Sequence, residues 1–302
     1  MHSLHGAVLC VLAAAVVMQC DAAITCLDEG GKPVDWFIVY KLPIIRNSSS
    51  KQVQQGYGYM YMDVRQTALK LSKTGLNTAN HAIAHTLQQI YSNHGSSNVG
   101  YLMYSDGLPN SKKGHTKGQQ LMYNYPWIYD FNIPPELAKN VPSLVKAAHG
   151  NHVTSAPWNR RVPLTSSGGQ SFDSFAKFSN YGQDIYSAWL APFLKSNLLV
   201  ETWQNGQGKK MNSSCGGPYN VENIRAMKLG SEHFRQTKDH SKWAVTAPSG
   251  SKWICIGDIN RMESQKKRGG GALCFENAAA HKNFLDGITD IEKCNLSRRN
   301  EL

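Results

Sequence analysis

Two stretches, Gly114-His115-Thr116-Lys117-Gly118 and Asp239-His240-Ser241-Lys242-Trp243, organise the chain, because each places a histidine two residues before a lysine. Alternate residues of an extended strand point to the same face, so each histidine is expected to project beside its lysine. A histidine can attack phosphorus while a lysine neutralises the phosphate oxygens, and a second such pair can protonate the leaving group. The pattern therefore predicts two half-sites of one phosphoryl-transfer centre.

The residues that this prediction selects are His115, Lys117, His240 and Lys242. A three-residue motif also arises by chance, so the alternative is a pair of exposed basic loops without a catalytic role. The motif alone leaves both interpretations open.

The N-terminus has the pattern of a secretory signal peptide, residues 1–22. Residues 7–18 form an apolar run that is too short to cross a bilayer, and residues 20–22 offer a cleavage site. No later stretch is long and apolar enough for a transmembrane helix, so no stable membrane insertion is expected. Secretion agrees with three N-glycosylation sequons, which begin at Asn47, Asn212 and Asn295.

Removal of this leader leaves five cysteines, an odd number. In an oxidising compartment one of them is then expected to lack an intramolecular partner. No Cys-x-x-Cys pair occurs, which argues against a zinc ribbon or a thioredoxin-type site. The five cysteines are Cys26, Cys215, Cys255, Cys274 and Cys294.

The formal net charge is +11, from 32 lysines and arginines against 21 acidic residues. This excess favours a polyanionic partner, with nucleic acid ahead of an acidic membrane surface. Lys266-Lys267-Arg268-Gly269-Gly270-Gly271 forms a basic loop that either binds phosphates or is merely solvated.

Strand and helix patterns alternate along both halves of the chain, which indicates the α/β class. A helix is expected to begin at Asn77 or Thr78, with its apolar stripe at Ile83, Leu87 and Ile90. Strands are expected at residues 36–40, around Tyr57, Tyr59 and Tyr61, and at 100–104, 242–246 and 253–259. Further helices are indicated by the spacing of Phe172, Phe175 and Phe178 and of Ile185, Trp189 and Phe193, which are expected to be core residues rather than a base-stacking platform.

His81 and His85 lie four residues apart on the first of these helices. The spacing suits a metal, but the glutamate of a metalloprotease motif is missing between them and no third ligand follows nearby. Two exposed polar residues are the favoured interpretation, so no metal and no cofactor are predicted.

Several segments together resemble the deoxyribonuclease II family of acid endonucleases, which is related in fold to phospholipase D. The similarity extends over nearly all of the chain after the leader. The segments that carry it are residues 34–43, 114–118, 125–129, 152–153, 157–159, 175–178, 186–190, 239–243, 257–261 and 268–271.

The resemblance implies a phospholipase D-like pseudo-dimer of two mixed-sheet halves with flanking helices. Residues 23–122 would form the N-terminal half and residues 123–302 the C-terminal half, each contributing one His-x-Lys motif. It also implies cleavage of DNA at acid pH without a metal, leaving 3′-phosphate ends, in a lysosomal or secreted protein. The partner is then DNA, and a homodimer is an open question.

The chain departs from the family after Gly118, where some tens of residues are missing before Tyr125-Pro126-Trp127. The missing segment would contain the partner of Cys26. By resemblance, the other cysteines pair as Cys215–Cys294 and Cys255–Cys274. Loss of strands beside a catalytic motif is expected to expose sheet edges and to misplace His115.

Three functions follow as hypotheses. The first is an acid endonuclease in which one histidine forms a phospho-histidine and the other protonates the leaving oxygen; the sequence does not say which histidine attacks. The second is an inactive secreted homologue that binds DNA or another polyanion. The third is a phosphodiesterase that acts on lipids.

Overall fold

The computed structural model describes residues 7–11, 24–105, 120–206 and 208–294, and for residues 7–11 it describes the backbone only. His115, Lys117 and Asn295 lie outside these ranges. No helix within the described ranges is long and apolar enough to cross a membrane.

The N-terminal sheet contains four antiparallel strands in the order β1-β2-β3-β4. The central strands β2 and β3 are buried almost throughout, as expected when both faces of a strand are covered. The strands are β1 (Ala7–Val11), β2 (Trp36–Lys41), β3 (Tyr59–Asp63) and β4 (Lys70–Leu71), with helices α1 (Lys51–Gln54) and α2 (Ala82–Tyr91) in the connections.

Strand β1 belongs to the predicted leader and pairs along the edge of β2, with Ala7 opposite Tyr40 and Val11 opposite Trp36. Cleavage after residue 22 would remove this strand. The edge of β2 would then present unpaired backbone groups, which invite another strand to pair there.

A two-stranded antiparallel sheet, β5-β6, connects the two larger sheets. Short helices surround it, two of them beginning with a proline in the first turn, where its missing N–H costs nothing. The elements are β5 (Tyr101–Ser105), α3 (Leu121–Asn124), β6 (Trp127–Asn132), α4 (Pro135–Ala138) and α5 (Pro142–Ala148).

The C-terminal sheet has nine strands in the order β11-β10-β9-β12-β13-β14-β8-β7, with β15 also paired to β10. It is mixed, because β9 and β10 are parallel while the other neighbours are antiparallel. The strands are β7 (Asn159–Thr165), β8 (Ser171–Lys177), β9 (Leu198–Glu201), β10 (Val221–Leu229), β11 (Glu232–Arg235), β12 (Trp243–Thr246), β13 (Trp253–Gly257), β14 (Gly270–Glu276) and β15 (Ile288–Glu292); a π-helical turn (Tyr186–Leu190) leads into α6 (Ala191–Leu194), and α7 (Ala278–Asp286) precedes β15.

The large sheet is covered on both faces. One face packs against the N-terminal sheet and α7 in a single core that includes Tyr40, Trp243 and Phe284. The other face packs against the π-helical turn and α6 through Phe175 and Ile185. The predicted α/β class is confirmed: the protein is a mixed α/β structure with several sheets and few helices.

One predicted helix is wrong, because Phe172 and Phe175 lie on strand β8. Their spacing of three places Phe172 in the core between the sheets and Phe175 in the core beneath α6. A strand that is buried on both faces needs apolar residues at odd and even positions, so its pattern can imitate helical spacing.

The predicted start of α2 is also wrong. The N-cap is His81, whose Nδ1 accepts a hydrogen bond from the backbone N–H of Ala84 at 3.1 Å. His81 is buried rather than exposed, whereas His85 Nδ1 lies 3.1 Å from the carbonyl oxygen of Asp28. Both imidazoles therefore have structural contacts.

Two disulfides occur in the C-terminal half, Cys215–Cys294 and Cys255–Cys274, the pairs that the family resemblance implied. Cys26 is buried and is also disulfide-bonded, which contradicts the expectation that its partner is missing from the chain. The count of five cysteines refers to the chain without residues 1–22; these residues contain Cys10 and Cys20, so the full chain has seven cysteines, which is still an odd number.

Arg261 anchors the segment that follows β13. Its guanidinium is fully buried and donates hydrogen bonds to Asp184 Oδ2 at 3.3 Å, Asn223 Oδ1 at 2.5 Å and Ser214 Oγ at 2.7 Å. A buried charge is tolerated only when it is paired and hydrogen-bonded in this way.

Arg261→Met is expected to destabilise the protein by about 3–5 kcal/mol, because it leaves the carboxylate of Asp184 buried without its charge partner. The free energy of unfolding in urea measures the effect. Arg225→Met is the matched control: Arg225 pairs with Glu292 at 3.3 Å but is half exposed, so its loss should cost about 1 kcal/mol or less. Equal costs for the two variants would contradict this role of Arg261.

Candidate active site

The second His-x-Lys motif lies immediately before β12, an interior strand of the large sheet, at the end of the sheet where β12 begins. Strand β12 is flanked by β9 and β13, and the backbone N–H of Gly257 at the end of β13 donates to the carbonyl oxygen of Lys242 at 2.8 Å. The end of β9, the start of β12 and the end of β13 therefore lie side by side at this end of the sheet. Catalytic side chains placed at strand ends are held by a rigid scaffold while facing solvent.

His240 and Lys242 are both half-buried. The ammonium Nζ of Lys242 donates to the carbonyl oxygen of His240 at 2.7 Å. The lysine thus lies back over the histidine's backbone, as expected from two residues on the same side of an extended chain. This contact brings a positive charge close to the histidine.

A buried hydrogen-bond network fixes the backbone beneath the motif. Asp239 accepts hydrogen bonds from the Tyr40 hydroxyl and from Ser241 Oγ (2.6 Å), and its other carboxyl oxygen accepts from the backbone N–H of Ser241 at 3.0 Å. Ser241 Oγ also lies 2.9 Å from the Tyr40 hydroxyl. Asp239 and Ser241 point inward in alternation with His240 and Lys242, so the inward residues determine where the outward ones stand.

Glu201 lies at the end of β9 beside this network, opposite Trp243 in the register of the two strands. Its side chain is fully buried, and neither carboxyl oxygen has a hydrogen-bond partner among the described residues. Burial raises the pKa of Glu201 well above its usual value, and the nearby Asp239 raises it further while Lys242 lowers it. Burial also raises the pKa of Asp239, against the opposing effect of its hydrogen bonds from Ser241 and Tyr40.

An indole ring covers the imidazole of His240. The ring centroids of Trp203 and His240 are 4.2 Å apart with 24° between the ring planes. Trp203 lies two residues beyond the end of β9, in the segment that passes alongside the motif.

Basic residues lie on two paired segments near this end of the sheet, which Gln204 contacts through the carbonyl oxygens of Met211 and Arg261. Residues 209–211 pair with residues 261–263 through two backbone hydrogen bonds of 3.0 and 3.1 Å, which place Lys209 and Lys210 beside the segment leading to Lys266 and Lys267. The predicted basic loop at residues 266–271 is only partly a loop, because Lys266 and Lys267 end a 3-10 turn (Glu263–Lys267) and Gly270 begins strand β14. The buried Nζ of Lys177 holds it by donating to the carbonyl oxygens of Gln265, Lys266 and Arg268 at 3.1, 3.2 and 2.5 Å.

The structure places only part of the predicted site. His240 and Lys242 lie together just before β12, at the end of the sheet, whereas His115 and Lys117 lie outside the described residues. Asn47 and Asn212 are exposed, as glycan acceptors must be, and Asn295 lies outside the described residues. Within the described ranges no group of three or more His, Cys, Asp or Glu side chains is arranged to hold a metal ion.

Sequence reasoning missed Tyr40, Glu201, Trp203 and the structural role of Asp239. Tyr40 was recognised only as part of a buried strand, and it is 199 positions away from Asp239. An acid at the end of an otherwise apolar strand, as in Leu198-Leu199-Val200-Glu201, was the available indication that Glu201 is unusual.

Comparison with known proteins places the chain in the deoxyribonuclease II family, whose model matches residues 25–119 and 118–294. The chain therefore belongs to this family. Among individual relatives it is 43% identical to plancitoxin-1 of Acanthaster planci over 341 aligned positions, covering 93% of this chain and 95% of the relative. It is 32% identical to deoxyribonuclease-2-alpha of Sus scrofa, covering 96% of each chain, and 30% identical to deoxyribonuclease-2-beta of Homo sapiens, covering 90% and 92%.

The alignment with plancitoxin-1 contains many positions that this chain lacks. Since 93% of the 302 residues is about 281, about 60 of the 341 aligned positions have no counterpart in this chain. The family match is divided into two parts that meet at residues 118–119. This is the place where the sequence departs from the family pattern, directly after His115 and Lys117.

The buried carboxyl groups predict that stability falls as the pH rises. Because the pKa of Glu201 is higher in the folded protein than in the unfolded chain, its contribution is complete below the unfolded value of about 4.3 and is lost as the pH rises through the folded value. The slope in that window is at most about 1.4 kcal/mol per pH unit for one carboxyl.

Glu201→Gln keeps a neutral side chain of the same shape, so the free energy of unfolding should become less dependent on pH between about pH 5 and pH 8. Urea unfolding at a series of pH values measures this slope. The matched control is Glu136→Gln, because Glu136 lies on the surface with 84% of its side chain exposed, and the wild-type slope should persist. A Glu201→Gln slope identical to that of the wild type would show that Glu201 is not protonated on folding.

Proposed function

We propose that the protein is an endonuclease of the deoxyribonuclease II type that hydrolyses phosphodiester bonds of DNA at acid pH without a metal ion. The observation that carries the proposal is the buried network of Tyr40, Asp239 and Ser241 in a chain of this family. This network holds His240 and Lys242 at the start of β12, at the end of the large sheet. A polyanionic substrate suits the basic residues near that end of the sheet, which are Lys209, Lys210, Lys266 and Lys267.

In the proposed mechanism a ring nitrogen of neutral His240 attacks phosphorus, and the bond from phosphorus to the 5′ oxygen breaks. Protonated His115 donates its proton to that oxygen. Neutral His115 then accepts a proton from water as the water attacks phosphorus, the phosphorus–nitrogen bond breaks, and a 3′-phosphate is released. Lys117 and Lys242 stabilise the charge on the equatorial oxygens, which is the role that a metal ion has in other phosphodiesterases.

This division of labour requires one neutral and one protonated histidine at the same time, so the rate should have a bell-shaped dependence on pH. Acid conditions also favour the folded protein, because burial raises the pKa values of Glu201 and Asp239. Both effects suit an acidic compartment, and a lysosomal or secreted location follows from the same proposal.

The proposed architecture is a phospholipase D-like pseudo-dimer. Residues 23–122, with strands β2, β3 and β4, contribute His115 and Lys117, and residues 123–302, with the nine-stranded sheet, contribute His240 and Lys242. The packing of the two sheets around one core supports a shared site between the halves. A homodimer belongs to the same proposal.

The gap of about 60 aligned positions supports a second candidate function. A chain that has lost strands next to His115 would retain the basic surface without a complete catalytic centre. Such a protein would bind DNA without cutting it, and its affinity would fall steeply with increasing salt.

An assay of plasmid nicking at about pH 5 in excess chelator separates the two candidates. In the proposed mechanism one histidine is the acid and the other is the nucleophile, so loss of either should stop efficient cleavage. Cleavage is expected for the wild type, and His240→Ala and His115→Ala should each lower the rate by a factor of about 100 or more. His233→Ala is the control, because His233 is an exposed residue on β11. Full activity in both active-site variants would refute the assignment of the histidines, and salt-sensitive binding without cleavage at any pH would support the second function.

A matched pair of tyrosine variants tests the network beneath His240. Tyr40→Phe and Tyr61→Phe each remove a buried hydroxyl that donates to a carboxylate, Asp239 in one case and Asp63 in the other. Each should lower the free energy of unfolding by about 1–3 kcal/mol. Only Tyr40→Phe should also lower kcat for DNA cleavage, because only Asp239 adjoins His240, and an equal loss of kcat in both variants would contradict this role.

A further inference from the structure

Trp203 has a geometry that general core packing does not explain. Its indole lies nearly parallel to the imidazole of His240 at a centroid distance of 4.2 Å, and both side chains are half-buried. Among the described residues, four other indoles pack on phenylalanine or tyrosine rings; they belong to Trp36, Trp158, Trp189 and Trp243. Trp203 thus packs on an imidazole, whereas Trp189 packs on the rings of Phe175 and Tyr181.

Neighbouring groups fix the orientation of the indole. Its Nε1–H donates to the carbonyl oxygen of Thr237 at 3.2 Å, in the turn that leads into the His-x-Lys motif. Gly206 lies against the six-membered ring, where an added Cβ would come within 3.1 Å of an indole carbon. The indole is therefore confined by Gly206 and by the turn before His240.

The residue after Trp203 ties this segment to the rest of the site. Gln204 Nε2 donates to the carbonyl oxygens of Met211 and Arg261 at 2.8 and 2.9 Å, and its backbone N–H donates to Gln236 Oε1 at 3.3 Å. Arg261 is itself held by buried hydrogen bonds. A ring supported in this way can hold a second ring in one orientation.

A stacked indole has two consequences for an imidazole. It blocks rotation of the imidazole out of the plane of contact, so that a chosen ring nitrogen keeps pointing at the substrate. Its electron-rich face also attracts a cation, which favours the protonated imidazole over the neutral one. Among the described residues, Lys242 and Asp239 in the segment before β12 adjoin His240, and the buried carboxyl group of Glu201 on β9 lies near both of them.

We propose that Trp203 is a positioning residue of the active site, which holds the ring of His240 in its reactive orientation and stabilises the positive charge that this imidazole carries after it attacks phosphorus or binds a proton. This inference rests on the proposed function for its catalytic consequence, but the physical contact between the two rings can be tested without any activity. Trp203 acts through His240 and is not itself expected to touch the reacting atoms.

The direct test is the titration of His240 by NMR in the wild type, Trp203→Phe, Trp203→Leu and a control, Trp189→Leu. Trp189 is also half-buried but packs edge-on against Phe175 at 5.1 Å, away from His240. Trp203→Leu should shift the titration of His240 to lower pH by about half a unit, which matches a cation–π contact at a partly exposed site. Trp203→Phe should give a smaller shift, and Trp189→Leu should give none.

The kinetic test uses the same four proteins. Trp203→Leu should lower kcat about 10-fold with KM within about twofold of the wild type, and Trp203→Phe should recover most of the loss, because an aromatic ring is restored. Whichever limb of the pH–rate profile belongs to His240 should move to lower pH, and the other limb should stay in place.

Each outcome has a distinct meaning. An unchanged NMR titration of His240 in Trp203→Leu would overturn the proposal, whether or not the protein cleaves DNA. A raised KM with unchanged kcat would also overturn it and would indicate that Trp203 stacks on a nucleotide base instead. If the NMR shift is found but no protein in the set cleaves DNA, the proposed function fails while the contact between the two rings stands.

Discussion

The hydrogen bond from the Tyr40 hydroxyl to the carboxyl group of Asp239 is the interaction on which the candidate site depends. It joins a strand of the N-terminal sheet to the residue that precedes His240, and it lies in the core where the two sheets pack. A buried carboxyl group without such partners would cost several kcal/mol. The two sheets must therefore meet in one register for the motif to be held in place.

The same region carries a cost that changes with pH. Glu201 is fully buried with no hydrogen-bond partner among the described residues, and it stands close to Asp239. Two ionised carboxylates cannot be buried side by side cheaply, whereas protonated ones can. These destabilising carboxyl groups lie beside the histidine and lysine of the motif, where apolar residues would have been more stabilising at neutral pH. Such an arrangement agrees with the proposed activity at acid pH.

The sequence was informative where a local pattern determined the structure. The apolar run at residues 36–40 forms strand β2, and the strands after Lys242 and before Asp258 were also predicted. Prediction failed at β8, because burial on two faces gives Phe172 and Phe175 a helical spacing. The histidine and lysine of the motif were found from their spacing, but Tyr40 and Trp203 reach His240 and Asp239 through tertiary contacts that no periodicity encodes. The family resemblance supplied DNA as the expected substrate, whereas the net charge had favoured a polyanion, with nucleic acid ahead of an acidic membrane surface.

The long reach of the contact between Tyr40 and Asp239 limits how this molecule can be divided. A fragment beginning near residue 120 would contain every strand of the large sheet, both disulfides of the C-terminal half and the complete second motif. It would nevertheless lack the hydroxyl that holds Asp239, and it would expose the core face around Trp243 and Phe284 to water. The second half is thus continuous in the sequence, but its stability depends on contacts with the first half. Evolution or engineering can alter the loops between the halves more freely than it can exchange one half for another.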